Sequence, residues 1–190
     1  MNIFITGGAG YIGSHVSMQL LNAGHDITIY DDLSLGFEEN IDKRAVFIKG
    51  STLDLKLLRN SLSDNIDLVI HLAAYKSVGE SMKFPLKYSN NNINGSINLL
   101  NVLVELGIKN LIFSSTAGVY GYPKYLPIDE SHALNPVNYY GYTKLAVENI
   151  IQWYAKLGEL NYVIFRYFNA AGYDIKSRIK CVEQNPANLL

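Results

Sequence analysis

Residues 2–15 read NIFITGGAGYIGSH, and the fold turns on whether these glycines make a bland turn or a phosphate-binding one. Asn2 to Thr6 is a short run of β-branched and aromatic residues of the kind that forms a buried strand. It leads directly into Gly8-x-Gly10-x-x-Gly13, overlaid on Gly7-x-x-Gly10-x-x-Gly13, and then into a stretch over 11–23 whose pattern predicts a helix. Glycine permits a tight turn, lets backbone approach a pyrophosphate and lets helix pack closely on strand. The helix N-terminus adds N–H groups and partial positive charge. Alone, the glycine pattern is weak. Here a second apolar run, DITIYD (26–31), ends on Asp31, 18 residues past Gly13. That is where a dinucleotide-binding unit places the acid that accepts from the ribose hydroxyls. The charge of Asp31 would repel an extra 2′-phosphate, so NAD is favoured over NADP, and Asp32 shares that role or caps the following loop.

The same alternation continues outward. Runs at 67–73 (DLVIHLA), 110–115 (NLIFSS) and 162–168 (YVIFRYF) read as buried strands, and helical stretches are predicted at about 54–64, 86–106 and 139–157. A helix between each pair of strands implies right-handed crossovers and a doubly wound, Rossmann-like α/β fold on a parallel sheet. Ligands bind such sheets outside the carboxyl ends of the strands, where the winding direction switches. Those ends carry GGAGYIG, DDLSLG, LAAYKSVGES, STAGVYG and NAAGYD. Glycines, hydroxyls and charges converge there, and a purely structural chain has no reason to gather them at one edge.

The bulk composition narrows the partners. At 190 residues the expectation is one domain with a proper core, and 48% hydrophobic with 17% charged residues fits a soluble globular protein. No apolar run approaches the roughly 18 residues of a membrane span and no charged-then-apolar leader opens the chain, so a cytoplasmic location is expected. The net charge of −1, with cations scattered among acids, leaves no basic stripe for nucleic acid. Cys181 is the single cysteine and cannot form an internal disulfide, and the four histidines show no metal-ligand spacing. His71, following an apolar run, reads as a hydrogen-bonded core histidine. Repeats, low-complexity segments and linkers are absent from the sequence.

The stretch NYYGYTKLAVENI (138–150) raises a chemical question. On a helix, Tyr140 and Lys144 lie four apart on one face, while Tyr139 and Tyr142 point elsewhere. An ammonium beside a phenol favours phenolate and lowers a pKa that is ordinarily about 10, which makes a proton-transfer pair. Equally, an amphipathic helix can carry both residues without using them.

Taken together, TGGAGYIGSH, YDDLS, VIHLAAYKSVGES, YSNNNINGS, FSSTAGVYG, Tyr140-x-x-x-Lys144 and RYFNAAG resemble, in order and spacing, the extended short-chain dehydrogenase/reductase family. Within it the likeness is to the UDP-glucose (UDP-galactose) 4-epimerases, and it covers essentially all 190 residues. The resemblance implies NAD as a tightly held cofactor, a UDP-sugar substrate and inversion at C4 through a 4-keto sugar. It implies Tyr11 and Ile12 at the pyrophosphate turn and Asp31, Asp32, Leu33, Ser34, Leu35 and Gly36 around the adenosine ribose. Leu72, Ala73, Ala74 and Lys76 would line the cofactor, Asn92 would reach it from the long helix, and Phe168 would flank the nicotinamide. Thr116, Tyr140 and Lys144 would be the catalytic set. Lys76, Thr116, Tyr140 and Asn169 would touch the sugar nucleotide, with Asn188 and Leu189 on the uracil side.

Ser51 and Thr52 follow the short strand AVFIK where the family usually has a carboxylate for the adenine amino group, so a hydroxyl takes its place. Thr116 stands where close relatives carry serine or threonine, and either hydroxyl can donate to a sugar oxygen. The related 4,6-dehydratases carry Asp-Glu after that threonine, but here Ala117 and Gly118 follow and cannot transfer protons. Residues 1–169 are expected to form the NAD-binding domain. Residues 170–190 are expected to begin a substrate-binding lobe that is mostly absent, and an NAD-binding module without turnover is the other reading this prompts. The resemblance also implies a homodimer through the two long helices, although Leu99, Val102, Leu103, Leu106, Leu145, Val147, Ile150 and Ile151 equally suit packing on their own sheet.

Overall fold

The computed structural model describes residues 1–172, 174–176, 178 and 179; Cys181, Asn188 and Leu189 lie outside the described residues. Six strands, β1 (Asn2–Thr6), β2 (Asp26–Asp31), β3 (Val46–Lys49), β4 (Leu68–His71), β5 (Asn110–Thr116) and β6 (Asn161–Tyr167), form one sheet in the order β3-β2-β1-β4-β5-β6. Every pairing is parallel, with β1 held centrally by Ile5 opposite Ile29 on one side and Ile70 on the other. The helices are α1 (Tyr11–Asn22), α2 (Leu55–Ser61), α3 (Val78–Lys83), α4 (Pro85–Tyr88), α5 (Gly95–Leu106) and α6 (Tyr139–Lys156).

Side-chain alternation along the strands divides the core in two. Ile3, Ile5, Ile27, Ile29 and Ile70 face α1, packing against Val16 and Leu20. Phe4, Val69, Leu111 and Phe113 face the other way, onto Leu99, Val102 and Leu103 of α5 and Val147 and Ile151 of α6. Leu106 and Ile150 pack against that same cluster. Of the apolar helix positions that also suited a dimer, all but the half-buried Leu145 pack on the chain's own core. Among the described residues no helix is long and apolar enough to cross a membrane, and no group of His, Cys, Asp or Glu is placed to hold a metal ion.

Two elements differ from the sequence expectation. The predicted helix over 86–106 is a run of α4, a π-helical turn over Ser89–Asn94, and α5, with helical backbone angles at both junctions. The π turn admits an extra residue, and it turns Asn92 inward to bind backbone on the neighbouring loop. The second difference is α3, which occupies what reads as a strand-end loop. Its signal is Ser77-x-x-Glu80, where Ser77 Oγ caps the helix by accepting from the Glu80 amide at 3.3 Å.

His71 is a core residue. Ser96 Oγ spends its proton on Asn92 O at 2.5 Å, so His71 Nε2, 2.8 Å from that Oγ, is the donor there. His71 Nδ1 then accepts from Thr6 Oγ1 at 2.6 Å. Burial, and secondly the Lys144 charge, pull its pKa down to about 3. The unfolded ring takes up a proton below about 6.5. Between those values the unfolded chain binds more protons, and stability falls as pH is lowered. The stability difference between wild type and His71→Gln, from urea unfolding, should therefore shrink between about pH 6.5 and 4.5 by up to about 1.4 kcal/mol per pH unit. A constant difference over that range would show that the ring is not held neutral.

Candidate active site

The carboxyl ends of all six strands open on a cavity of about 530 Å³, a size suited to a cofactor or small-molecule ligand. Its floor begins where β1 leaves the sheet at Gly7, with φ of +72°. A Cβ there would stand 2.6 Å from the Ala73 nitrogen, so only glycine allows this backbone approach. The Gly7 amide donates to Tyr30 O at 2.9 Å and the Gly10 amide to Gly7 O at 3.3 Å. Gly10 then caps α1 without a side-chain hydrogen bond, and the first turn of α1 carries no acid. The positive end of α1 thus meets the cavity beside Gly7, Gly10, Tyr11, Ile12 and Gly13.

At one end stands Asp31, buried, its Oδ2 accepting from the Ala9 amide at 3.0 Å and its Oδ1 from the Leu33 amide at 2.9 Å. Burial raises its pKa and the two amides pull against that. Leu33 adopts a left-handed φ of 61°, a strained choice for a branched side chain. It stays outside the lining, while Asp32, Ser34, Leu35 and Gly36 form it. Ser51 and Thr52 make the adjoining wall, where Tyr30 Oη donates to Ser51 O at 2.9 Å and Ser51 Oγ accepts from the Leu53 amide at 3.3 Å.

Beyond β4, Leu72, Ala73, Ala74 and Lys76 line the cavity, joined by Tyr75 and Val78. Asn92 does not line it. Its Oδ1 accepts from the Tyr75 amide at 2.9 Å, and its Nδ2 donates to Tyr75 O at 3.0 Å and to Thr143 Oγ1 at 3.1 Å. Its neighbour Asn91 faces the cavity instead. Three consecutive asparagines, Asn90 to Asn92, have equal claim in the sequence, and no local pattern tells which the π turn will point inward.

The other end holds Thr116, Tyr140, Phe168 and Asn169. Asn138 caps α6 by accepting from the Gly141 amide at 2.8 Å, and the Tyr140 amide donates to Ser81 Oγ at 3.0 Å. A Cβ on Gly141 would lie 2.8 Å from Gly118 O. This close approach of α6 to the turn after β5 sets Tyr140 and Thr116 together in the cavity wall. Tyr139 turns away to Ser89 Oγ at 2.7 Å, and Tyr142 is half exposed, its ring 5.5 Å from that of Tyr139.

Lys144 sits behind this wall, buried and outside the lining. Its Nζ donates to Ser114 O at 2.7 Å and lies 4.8 Å from the centre of the Phe113 ring. Burial pushes the Tyr140 phenol up and the neighbouring Thr116 side chain pulls it partly back. Burial likewise pulls the Lys144 ammonium down to about 7, with the Glu148 carboxylate opposing. Sequence reasoning also missed Ser114, Ser115 and Tyr167 in the lining; the apolar and hydroxylic runs that hold them read simply as strand.

Residues 3–184 match the NAD dependent epimerase/dehydratase family. The chain belongs to that family. It is 45% identical over 173 residues to the UDP-glucose 4-epimerase of Lactobacillus helveticus, covering 90% of this chain and 52% of that protein. The structure of UDP-glucose 4-epimerase from Brucella ovis in complex with NAD is 41% identical with a TM-score of 0.91, over 94% of this chain and 55% of that one. The Thermotoga maritima enzyme with UDP-glucose is 38% identical with a TM-score of 0.87, over 90% of this chain and 57% of that one. The chain thus spans about half the length of these relatives.

The division of labour between the two asparagines of this family member is open to measurement. Asn92→Ala should cost about 1–3 kcal/mol in urea unfolding by leaving half-buried Tyr75 backbone groups unpaired. Asn91→Ala, which removes only the Asn91 Nδ2 bond to Asn92 Oδ1 at 3.1 Å, should cost less, about 0.5–1 kcal/mol. Equal losses would overturn the distinction.

Proposed function

We propose that the chain binds NAD along this cavity and inverts C4 of a UDP-hexose, interconverting UDP-glucose and UDP-galactose. The observation that carries the reading is the meeting of Thr116 and Tyr140 in the wall of a cavity whose other end is the glycine turn and Asp31. The residues fit a dinucleotide: the Gly7 turn leaves backbone and the α1 terminus open to a pyrophosphate. The Asp31 carboxylate, held by two amides, keeps lone pairs for ribose hydroxyls, and its charge disfavours a 2′-phosphate. Tyr11, Ile12, Ser34, Leu35, Gly36, Leu72, Ala73, Ala74 and Phe168 complete the cofactor contacts, and the Ser51–Thr52 wall receives the adenine end without a carboxylate.

NAD, when bound, supplies the reversible two-electron chemistry at C4. The chain's part is the proton. Tyr140 removes it from the sugar 4-hydroxyl and returns it, Thr116 holds that hydroxyl in line, and Lys144 supplies positive charge one helical turn along. Burial opposes the phenolate, so the base depends on that cation. Asn169 and Lys76 contact the sugar nucleotide. Ala117 and Gly118, which cannot move protons, argue against a dehydratase.

A second reading is NAD binding without turnover, for which the glycine turn and Asp31 suffice by themselves. One assay separates the possibilities: UDP-galactose is added to NAD-loaded protein and the sugars are resolved. UDP-glucose is the expected product; bound NAD with no product supports the binding module, and a 4-keto-6-deoxy sugar supports the dehydratase. Tyr140→Phe should keep its fold and its NAD while turnover drops by about 10²-fold or more. Undiminished turnover would remove Tyr140 from the mechanism.

A further inference from the structure

Behind the cavity wall lies a buried ionic cluster that the proposed chemistry does not use. Glu148, fully buried one turn beyond Lys144 on α6, accepts a hydrogen bond from Ser115 Oγ. It also accepts from Arg166 of β6, through Nε at 3.2 Å to each oxygen and Nη2 at 2.7 Å. Arg166 Nη1 donates to Tyr120 Oη at 3.0 Å, and the guanidinium lies 5.0 Å from the centre of the Tyr120 ring. Ser114 and Ser115, which close on Lys144 and Glu148 respectively, are consecutive on β5. One carboxylate therefore ties together α6 with Tyr140, the end of β5 with Thr116, the turn that follows, and β6 two residues before Phe168.

Stability alone is a poor reason for such a cluster, because well-packed apolar residues serve a core as well as or better than a buried ion pair. We propose that the Glu148–Arg166 pair positions Lys144, holding its ammonium charged and in register with the Ser114 carbonyl. The inference rests on the reading of Lys144 as the cation that serves Tyr140. Several groups face Lys144. Glu148 and Tyr140 lie on its own helix, and His71, whose pKa its charge lowers, is on β4. The Phe113 ring and Ser114 carbonyl come from β5; beyond Glu148 stand Arg166 of β6 and Tyr120. Glu148 is the acid of that set. Burial already draws the Lys144 ammonium to about 7 with Glu148 in place. Loss of the carboxylate would leave the buried Lys144 without a nearby acid and the half-buried Arg166 without its ion-pair partner.

The test is a titration of the full chain with 13Cε-labelled lysine, following the Lys144 signal by NMR without added nucleotide and assigning it by its loss in Lys144→Arg. Glu148→Gln should lower the Lys144 midpoint by about 1–3 pH units, the scale of losing an opposite charge at close range. Glu148→Gln with Arg166→Leu removes both charges, keeps the fold safer, and should lower the midpoint in the same direction by less. An unmoved midpoint in either folded variant overturns the proposal and leaves the pair structural. Because no cofactor or sugar enters the measurement, failure of the epimerase reading would show separately, as absent NAD binding or turnover in the wild-type chain.

Discussion

The interaction on which the site depends is the contact of backbone on backbone between Gly7 and Ala73. β1 and β4 are neighbours at the centre of the sheet, but the chain leaving β1 enters α1 on one face while the chain leaving β4 passes to α5 on the other. Two loops that diverge from adjacent strands open a crevice. Gly7, in a left-handed conformation with no room for a Cβ, keeps its base narrow and brings α1 down to its rim.

The polar framework around that crevice is closed. Among the described residues no buried side-chain nitrogen or oxygen lacks a partner. His71, Thr6, Ser96, Asn92 and Thr143 form one chain of hydrogen bonds that links β1 and β4 to the π turn, α5 and α6. Every member matters because an unpaired polar group in a low-dielectric interior costs more than a paired one gains. Around the crevice Asp31 and Tyr140 in the cavity wall, and Lys144 behind it, are all pushed by desolvation toward their uncharged forms. A wall prepared in this way favours a ligand that brings its own charges and hydrogen bonds to it.

Much of this was legible in the residues because it is local or strictly periodic. The run from Asn2 to Gly13 carries strand, turn and helix start within a dozen positions, and Asp31 follows at the distance a βαβ unit requires. Ser77 and Glu80 announce α3 in the same local way, though among glycines and charges they pass for loop. By contrast Asn91 and Asn92 are chemically identical neighbours, and which one faces the cavity depends on Tyr75 and Thr143, 17 and 51 residues away in sequence. Glu148 and Arg166 look like ordinary solvent-facing charges, and only the closure of β5, β6 and α6 buries Glu148 and half-buries Arg166 against it.

The sequence by itself determined the parallel doubly wound sheet, the edge at which ligands gather and the residue types that meet there, since strand and helix periods and glycine sterics act over a few positions. Tertiary structure alone decided which groups are dry. It put Lys144 against a carbonyl with Glu148 and Arg166 behind it, and it set burial against the phenolate of Tyr140. The reason is physical: a charge's preference depends on the dielectric and the partners around it, and both come from segments far apart along the chain.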